Sequence, residues 1–209
     1  MYLKRNNMPK TWPLRRKGTK YLVRPSSLRN SIPLLIVLRD MLKVVKNKKE
    51  AKEILNVGKI KINGKTIKEA KYSLTLFDIL SLNEKNFKML LKNKRFDVSE
   101  TKENNEKISK VIGKKVLKKG KIQINLSDGK NYLSKDNIKT GDSVIIDFKE
   151  NKISEILPLK QGSKILFIAG KHMGREGGVD EIDEKKKLIY IKVGGERINS
   201  KLNNIIVIK

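Results

Sequence analysis

The longest apolar run of the chain, within the stretch from Ser31 to Ile67, limits most strongly what this sequence can fold into. The run has a helical period that places its apolar residues on one face. They are Leu34, Leu35, Leu38, Met41, Leu42 and Val45. This pattern predicts a helix with Ser31 at its cap and Pro33 in its first turn. The run is well short of the ~20 residues that cross a bilayer, so no membrane span is expected.

A second helix and a hairpin are predicted to follow. Asn47 with Glu50 three residues later is typical of a helix start, and Gly58 of a helix end. The dipeptide Asn63-Gly64 then joins two short alternating segments. It predicts a type I′ hairpin turn, because that turn needs positive φ at both central residues.

Two short helices followed by a lysine-rich hairpin resemble the S-four-type (S4-type) RNA-binding domain. The alternative is that these lysines only solvate a small α+β domain. The charge of the whole chain favours the first reading: 49 Lys+Arg stand against 22 Asp+Glu, a net charge of +27 over 209 residues. Such an excess calls for a polyanionic partner, nucleic acid first and an anionic membrane surface second. The absence of cysteine excludes disulfides, thiolate metal sites and cysteine nucleophiles.

Residues 1–30 contain many basic residues, no acidic residue and three prolines. This composition predicts a basic, extended N-terminal arm that packs on nothing by itself. Tyr2, Trp12 and Tyr21 are interleaved with the basic residues. Such aromatics could stack on unpaired bases or pin the arm to its own domain, and the sequence leaves both readings open for Trp12.

The rest of the chain reads as short strands. Strand-like sequence at Tyr72–Leu82 closes the first domain, and residues 83–119 have a weak pattern. Later strands are predicted at Lys121–Leu126, Asn131–Leu133, Val144–Phe148, Ile153–Leu157, Lys164–Ile168, Gly178–Ile182, Leu188–Val193 and Ile205–Ile208. We therefore predict an α+β, multi-domain chain. Its parts are a basic arm (1–30), an S4-type domain (31–91), a central small β domain (92–160) and a C-terminal small β-barrel (161–209).

The glycine-spaced loop in K-I-L-F-I-A-G-K-H-M-G-R-E-G-G, from Lys164 to Gly178, is similar to the KOW motif of translation and transcription proteins. A Walker phosphate loop matches poorly, because no Gly-Lys-Ser/Thr follows. His172 is the single histidine, with no cysteine ligands and no visible triad, so a loop residue near RNA is favoured over a catalytic one. No catalytic residue, metal site or cofactor is expected.

Motifs along nearly the whole chain resemble the archaeal and eukaryotic small-subunit ribosomal proteins of the "S-four e" (S4e) family, with the archaeal branch the better fit. They include M-P-K-T-W-P-L-R-R-K, Y-L-V-R-P, S-I-P-L-L-I-V-L-R-D, K-I-Q-I-N-L-S-D-G-K-N, K-T-G-D-S-V-I-I-D and G-K-H-M-G-R. The resemblance implies a non-catalytic, structural protein of the cytoplasmic ribosome. Its partners would be ribosomal RNA and neighbouring ribosomal proteins, with no membrane, no small-molecule substrate and no homo-oligomer.

The residues expected to contact RNA are basic residues of the arm, the first domain and the last loop, together with the histidine. They are Lys4, Arg5, Arg15, Arg16, Lys17, Lys20, Arg24, Arg29, Arg39, Lys43, Lys59, Lys61, Lys65, Lys171, His172 and Arg175. One alternative is a dissociable RNA-binding translation or transcription factor. Another is an RNA-modifying enzyme, since pseudouridine synthases also carry S4-type domains, but no remaining segment is large enough for a catalytic domain.

Overall fold

The computed structural model describes residues 2–27, 30–83, 85–102, 105–117, 121–134, 136, 138–183 and 186–209. Two units follow each other along the chain, the first ending at Asn105 and the second beginning at Glu106. The structure is mostly β. Arg29, one of the residues predicted to contact RNA, lies outside the described residues. Within the described residues, no helix combines the length and the apolar content that a membrane crossing requires.

The N-terminal arm is folded onto the first unit. Strand β1 (Tyr2–Lys4) pairs antiparallel with β2 (Tyr21–Val23), and their central residues, Leu3 and Leu22, are buried. The Trp12 side chain is 1% exposed, and its indole N–H donates to the carbonyl of Ser31 at 2.8 Å. The expectation of an arm that packs on nothing is therefore wrong. Its apolar residues are spaced widely and are buried against the unit, so no local apolar cluster reveals them.

The apolar run forms a short helix whose residues 34–38 are buried. After β3 (Ser31–Pro33) come α1 (Leu34–Ile36) and a π-helical turn (Val37–Met41). The predicted cap at Ser31 is wrong, because that residue pairs with Thr75 in a strand and its hydroxyl donates to the Ser27 carbonyl. The second helix, α2 (Lys48–Asn56), begins as predicted: the Asn47 side chain accepts from the N–H groups of Lys49 and Glu50.

The predicted hairpin is confirmed and belongs to a sheet of the first unit. Asn63 and Gly64 have φ of 51° and 78°. The Asn63 amide is buried, donates to Asp78 Oδ1 at 2.7 Å and accepts from the Ile79 N–H at 2.9 Å, which fixes the turn. A short strand, β6 (Ser73–Thr75), pairs with β3. The unit's other strands are β4 (Ile60–Ile62), β5 (Lys65–Thr66), β7 (Ile79–Leu82), β8 (Lys85–Lys92) and β9 (Arg95–Thr101).

The antiparallel order in this sheet is β5-β4-β7-β8-β9. The predicted domain boundary between residues 91 and 92 falls inside the β8–β9 hairpin, in which Leu91 pairs with Phe96. The two strands join the sheet of β4 and β7, so this unit extends past the predicted boundary. The two strands were not predicted, because the consecutive apolar residues Met89, Leu90 and Leu91 break the alternation typical of a strand, and only Met89, Leu91 and Phe96 are buried in them.

The first sheet of the second unit has the order β12-β11-β10-β13-β14. Its strands are β10 (Glu106–Val116), β11 (Ile122–Leu126), β12 (Asn131–Ser134), β13 (Ser143–Asp147) and β14 (Lys152–Leu157). The predicted strands here are confirmed with small shifts in their ends. The central strand β10 was not predicted, because two of its buried positions are occupied by Lys107 and Lys110.

The second sheet of this unit has the order β18-β17-β16-β15-β19. Its strands are β15 (Lys164–Phe167), β16 (Glu176–Asp183), β17 (Leu188–Val193), β18 (Glu196–Lys201) and β19 (Ile205–Val207). Four of these were predicted, and β18 was not. Ile165, Phe167, Ile189, Ile191 and Ile205 form the centre of its core.

Lys110 joins the two sheets of the second unit. Its ammonium donates to the carbonyls of Leu202 and Ile205, the latter at 2.8 Å. A second link is the Val207 N–H, which donates to Ser143 Oγ at 2.9 Å. Burial lowers the pKa of Lys110 from 10.5 to about 8, because the charged form loses its hydration.

This lowered pKa predicts a pH dependence of stability. Between about pH 8 and pH 10.5 the unfolded chain holds a proton at Lys110 that the folded chain has released, so the free energy of unfolding should rise with pH across this window. The contribution is about 3 kcal/mol, from 1.36 kcal/mol per pKa unit. Urea unfolding of the wild type and Lys110→Met, below and above the window, should show this increment in the wild type alone. An equal increment in both proteins would contradict the assignment.

Candidate nucleic-acid interface

The β4–β5 hairpin carries three exposed lysines. Lys61 lies between Ile60 and Ile62, which are buried, so its own side chain points away from the core. Lys59 and Lys65 are also exposed at the two ends of the hairpin. Within the described part of the chain, none of the three forms an ion pair, so their charge is available to an anionic partner.

The two cations predicted in the first helix differ in how available their charge is to an RNA phosphate. Lys43 is exposed and has a φ of 55° where the chain leaves the π-helical turn. The Arg39 guanidinium instead contacts the Asp40 carboxylate, with Nη2 and Nε at 2.8 and 3.1 Å from Oδ2. Asp40 therefore offsets the charge of Arg39, and Lys43 is the stronger candidate for a phosphate contact.

Arg5 holds the basic loop of residues 15–19 in place. Its guanidinium donates to the carbonyl of Arg15 at 2.5 Å, and to the carbonyl and hydroxyl of Thr19 at 2.6 and 2.9 Å. The guanidinium also lies against Gly18, where a Cβ would come within 3.0 Å of Arg5 Cζ. Gly18 has a φ of 141°, which an L side chain rarely adopts. Arg5 therefore positions the loop, and its predicted contact with RNA stays a prediction.

The loop held by Arg5 presents a run of unburied cations. Arg15, Arg16 and Lys17 are all exposed, and Lys4 and Lys20 are exposed on the adjoining strand β1 and just before β2. Arg24 is half-buried. The sequence correctly predicted a cluster of cations in this segment. It did not indicate that Arg5 positions the loop that carries the others.

The predicted KOW-like loop connects β15 and β16. Gly170 and Gly174 have φ of 90° and 86°, and the Gly174 N–H donates to the Phe167 carbonyl at 2.8 Å. Lys171 and Arg175 are exposed, whereas His172 is half-buried with its ring centroid 5.9 Å from that of Phe167. Gly177, at the start of β16, must lack a side chain, because a Cβ there would lie 2.6 Å from the Lys192 carbonyl.

Comparison with known proteins matches two family models to this chain. The S4 domain matches residues 32–80, and the ribosomal family S4e matches residues 83–153. The small ribosomal subunit protein eS4 of Methanocella arvoryzae is 37% identical over 188 residues, which cover 87% of this chain and 80% of the relative. The eS4 protein of Nanoarchaeum equitans is 34% identical and covers 98% of this chain and 95% of its own.

The chain belongs to the S4e family of ribosomal proteins. Its fold agrees with that membership: the crystal structure of the 30S ribosomal protein S4e from Thermoplasma acidophilum superimposes with a TM-score of 0.76 at 26% identity. That match covers 86% of this chain and 95% of the solved one. The resemblance expected from the sequence motifs is thereby confirmed.

The aromatic residues in the arm of this S4e-family chain differ in burial. Of the three aromatic residues in the arm, Trp12 is buried in the unit, whereas Tyr2 and Tyr21 are exposed on the β1–β2 hairpin. Strand alternation explains why the tyrosines are exposed, since Leu3 and Leu22 take the inward positions of the same hairpin. Trp12 therefore pins the arm, and the two tyrosines remain available.

Proposed function

We propose that this chain is a structural, non-catalytic component of the small ribosomal subunit, and that it binds ribosomal RNA chiefly through its phosphates. The main support for the proposal is the loop of residues 15–19, whose backbone Arg5 holds at Arg15 and Thr19 while the side chains of Arg15, Arg16 and Lys17 are exposed. A loop whose backbone is already held loses less entropy on binding, so each phosphate contact that it makes contributes more to affinity. The eS4 names of its relatives support the same assignment.

The other basic sites extend this proposal to both units. We place the hairpin lysines Lys59, Lys61 and Lys65 against structured RNA, as in an S4-type domain. We take residues 161–209 as a KOW-type domain whose loop, with Lys171, His172 and Arg175, meets RNA or a neighbouring ribosomal protein. Contacts of this kind read the shape of the RNA and its backbone more than its bases. The proposed location is the ribosome in the cytoplasm.

Reversing the charges of the arm loop tests the role of the phosphates. Arg15→Glu, Arg16→Glu and Lys17→Glu combined should weaken binding to small-subunit RNA and lower the log–log salt slope by about 2 to 3, at roughly 0.7 to 0.9 per lost phosphate contact. Binding titrations at several salt concentrations measure both quantities. The matched control reverses three exposed lysines outside the proposed sites, Lys139, Lys149 and Lys160. A control slope that falls as much as that of the arm variant would refute a specific role for the loop.

Sedimentation separates a structural subunit protein from a dissociable factor. Lysate is run on a sucrose gradient at low and at high salt, and the chain is followed by antibody. Co-migration with the small subunit that survives high salt supports the proposal. Release into the light fractions would favour a dissociable translation or transcription factor instead.

A further inference from the structure

Two exposed tyrosines lie side by side on the β1–β2 hairpin. Tyr2 is 65% exposed and Tyr21 is 52% exposed, and their ring centroids are 6.4 Å apart with the planes tilted by 53°. The register explains the pair: Tyr2 lies opposite Val23 and Tyr21 opposite Lys4, so the two rings are diagonal neighbours on the outer face. The inner face of the same hairpin is occupied by buried Leu3 and Leu22.

The folded first unit leaves most of both rings in water. A tyrosine can bury 150 to 250 Å², roughly, and its ring face attracts other flat π-systems. A cross-strand pair of this kind gives the hairpin about 0.2 to 1 kcal/mol relative to alanine, which smaller β-branched residues could also supply. The hairpin's own stability therefore does not account for two large, exposed rings.

The surroundings of the pair are basic. Lys20 Nζ lies 5.5 Å from the Tyr21 ring centroid, and Lys4 lies directly opposite Tyr21 across the hairpin. The chain continues from β1 through Arg5 to the ordered loop that carries Arg15, Arg16 and Lys17. No acidic residue occurs among residues 1–30. Aromatic faces beside cations are the chemistry that binds unpaired nucleotides, since bases stack on the rings and phosphates meet the ammonium groups.

We propose that Tyr2 and Tyr21 form a stacking platform for an unpaired base in a single-stranded segment of RNA, with Lys4 and Lys20 on the adjoining phosphates. The inference rests on RNA being the partner under the proposed function, and it adds a contact to bases at the arm. Every base has a π-face, so this contact selects unpaired nucleotides without selecting a sequence.

An oligonucleotide without bases isolates the stacking contribution. The full chain is titrated with a short single-stranded oligonucleotide and with an abasic one of the same length and phosphate charge. The wild type should prefer the base-bearing strand by about 5- to 150-fold, the range measured for stacking of one base. Tyr2→Leu with Tyr21→Leu should abolish most of that preference and leave affinity for the abasic strand unchanged, because the cations remain.

Two control variants decide between stacking and other causes. Tyr2→Phe with Tyr21→Phe keeps both rings and should keep the preference. Tyr190→Leu removes an aromatic ring of the second unit and should also keep it. The proposal is overturned if the wild type shows no preference, if the leucine pair retains it, or if Tyr190→Leu loses it. If the stacking test fails but the arm-loop variant still shows a reduced salt slope, only the base contact is refuted. The proposal that the loop binds phosphates is then retained.

Discussion

Replacing Trp12 by alanine is expected to lower the free energy of unfolding of the first unit by about 3 to 5 kcal/mol. The side chain is 1% exposed, so its removal leaves a large cavity in the core. It also leaves the Ser31 carbonyl without the indole N–H that lies 2.8 Å away. Chemical denaturation followed by far-ultraviolet circular dichroism measures the change, since the only tryptophan is lost as a fluorescent probe.

The functional consequence should follow from the loosened arm. If Trp12 no longer pins residues 1–30, the loop cations must be ordered when RNA binds, and affinity should fall although no charge is removed. Limited proteolysis should show earlier cleavage within the arm. Trp12→Phe is the matched control, because it keeps an aromatic ring in the core and loses only the smaller ring of the indole with its N–H. Stability equal to wild type in Trp12→Ala would mean that the arm is not anchored there.

Local signals in the sequence predicted much of the first unit. The cap at Asn47 and the turn at Asn63-Gly64 depend on the conformational preferences of residues within three positions of each other, and both are confirmed. The apolar run was correctly placed in the core, although its helix ends at Met41, before the last apolar residue of the predicted face. At these positions propensity and packing favour the same conformation.

The missed features depend on contacts between distant residues. Arg5 bonds to residues 10 and 14 positions away, and no pattern in a short window distinguishes it from the other arm cations. The strand β10 was missed for a related reason, since a lysine at an inward position breaks the apolar alternation that signals a strand. Which basic residues face RNA and which hold the fold together thus depends on partners that the sequence does not place.

Lys107 shows most clearly how a cation can serve the fold. Its side chain in β10 is 2% exposed, and its ammonium lies 2.9 Å from Oδ2 of Asp128, whose side chain is 4% exposed. Asp128 also accepts from the Lys130 N–H at 3.1 Å, in the turn between β11 and β12. The pair therefore ties the central strand of the sheet to the turn of a neighbouring hairpin.

Asp128→Ala is expected to lower the free energy of unfolding of the second unit by about 3 to 5 kcal/mol, because it removes the carboxylate that lies 2.9 Å from the buried ammonium of Lys107. Denaturant titration measures the loss. The deciding comparison is Asp128→Ala combined with Lys107→Met, which removes both charges and leaves the turn as it is in Asp128→Ala. Replacing a whole buried ion pair is often neutral or stabilising, so the double variant should be markedly more stable than Asp128→Ala. If it is equally unstable, the loss comes from the turn and its packing rather than from the broken ion pair.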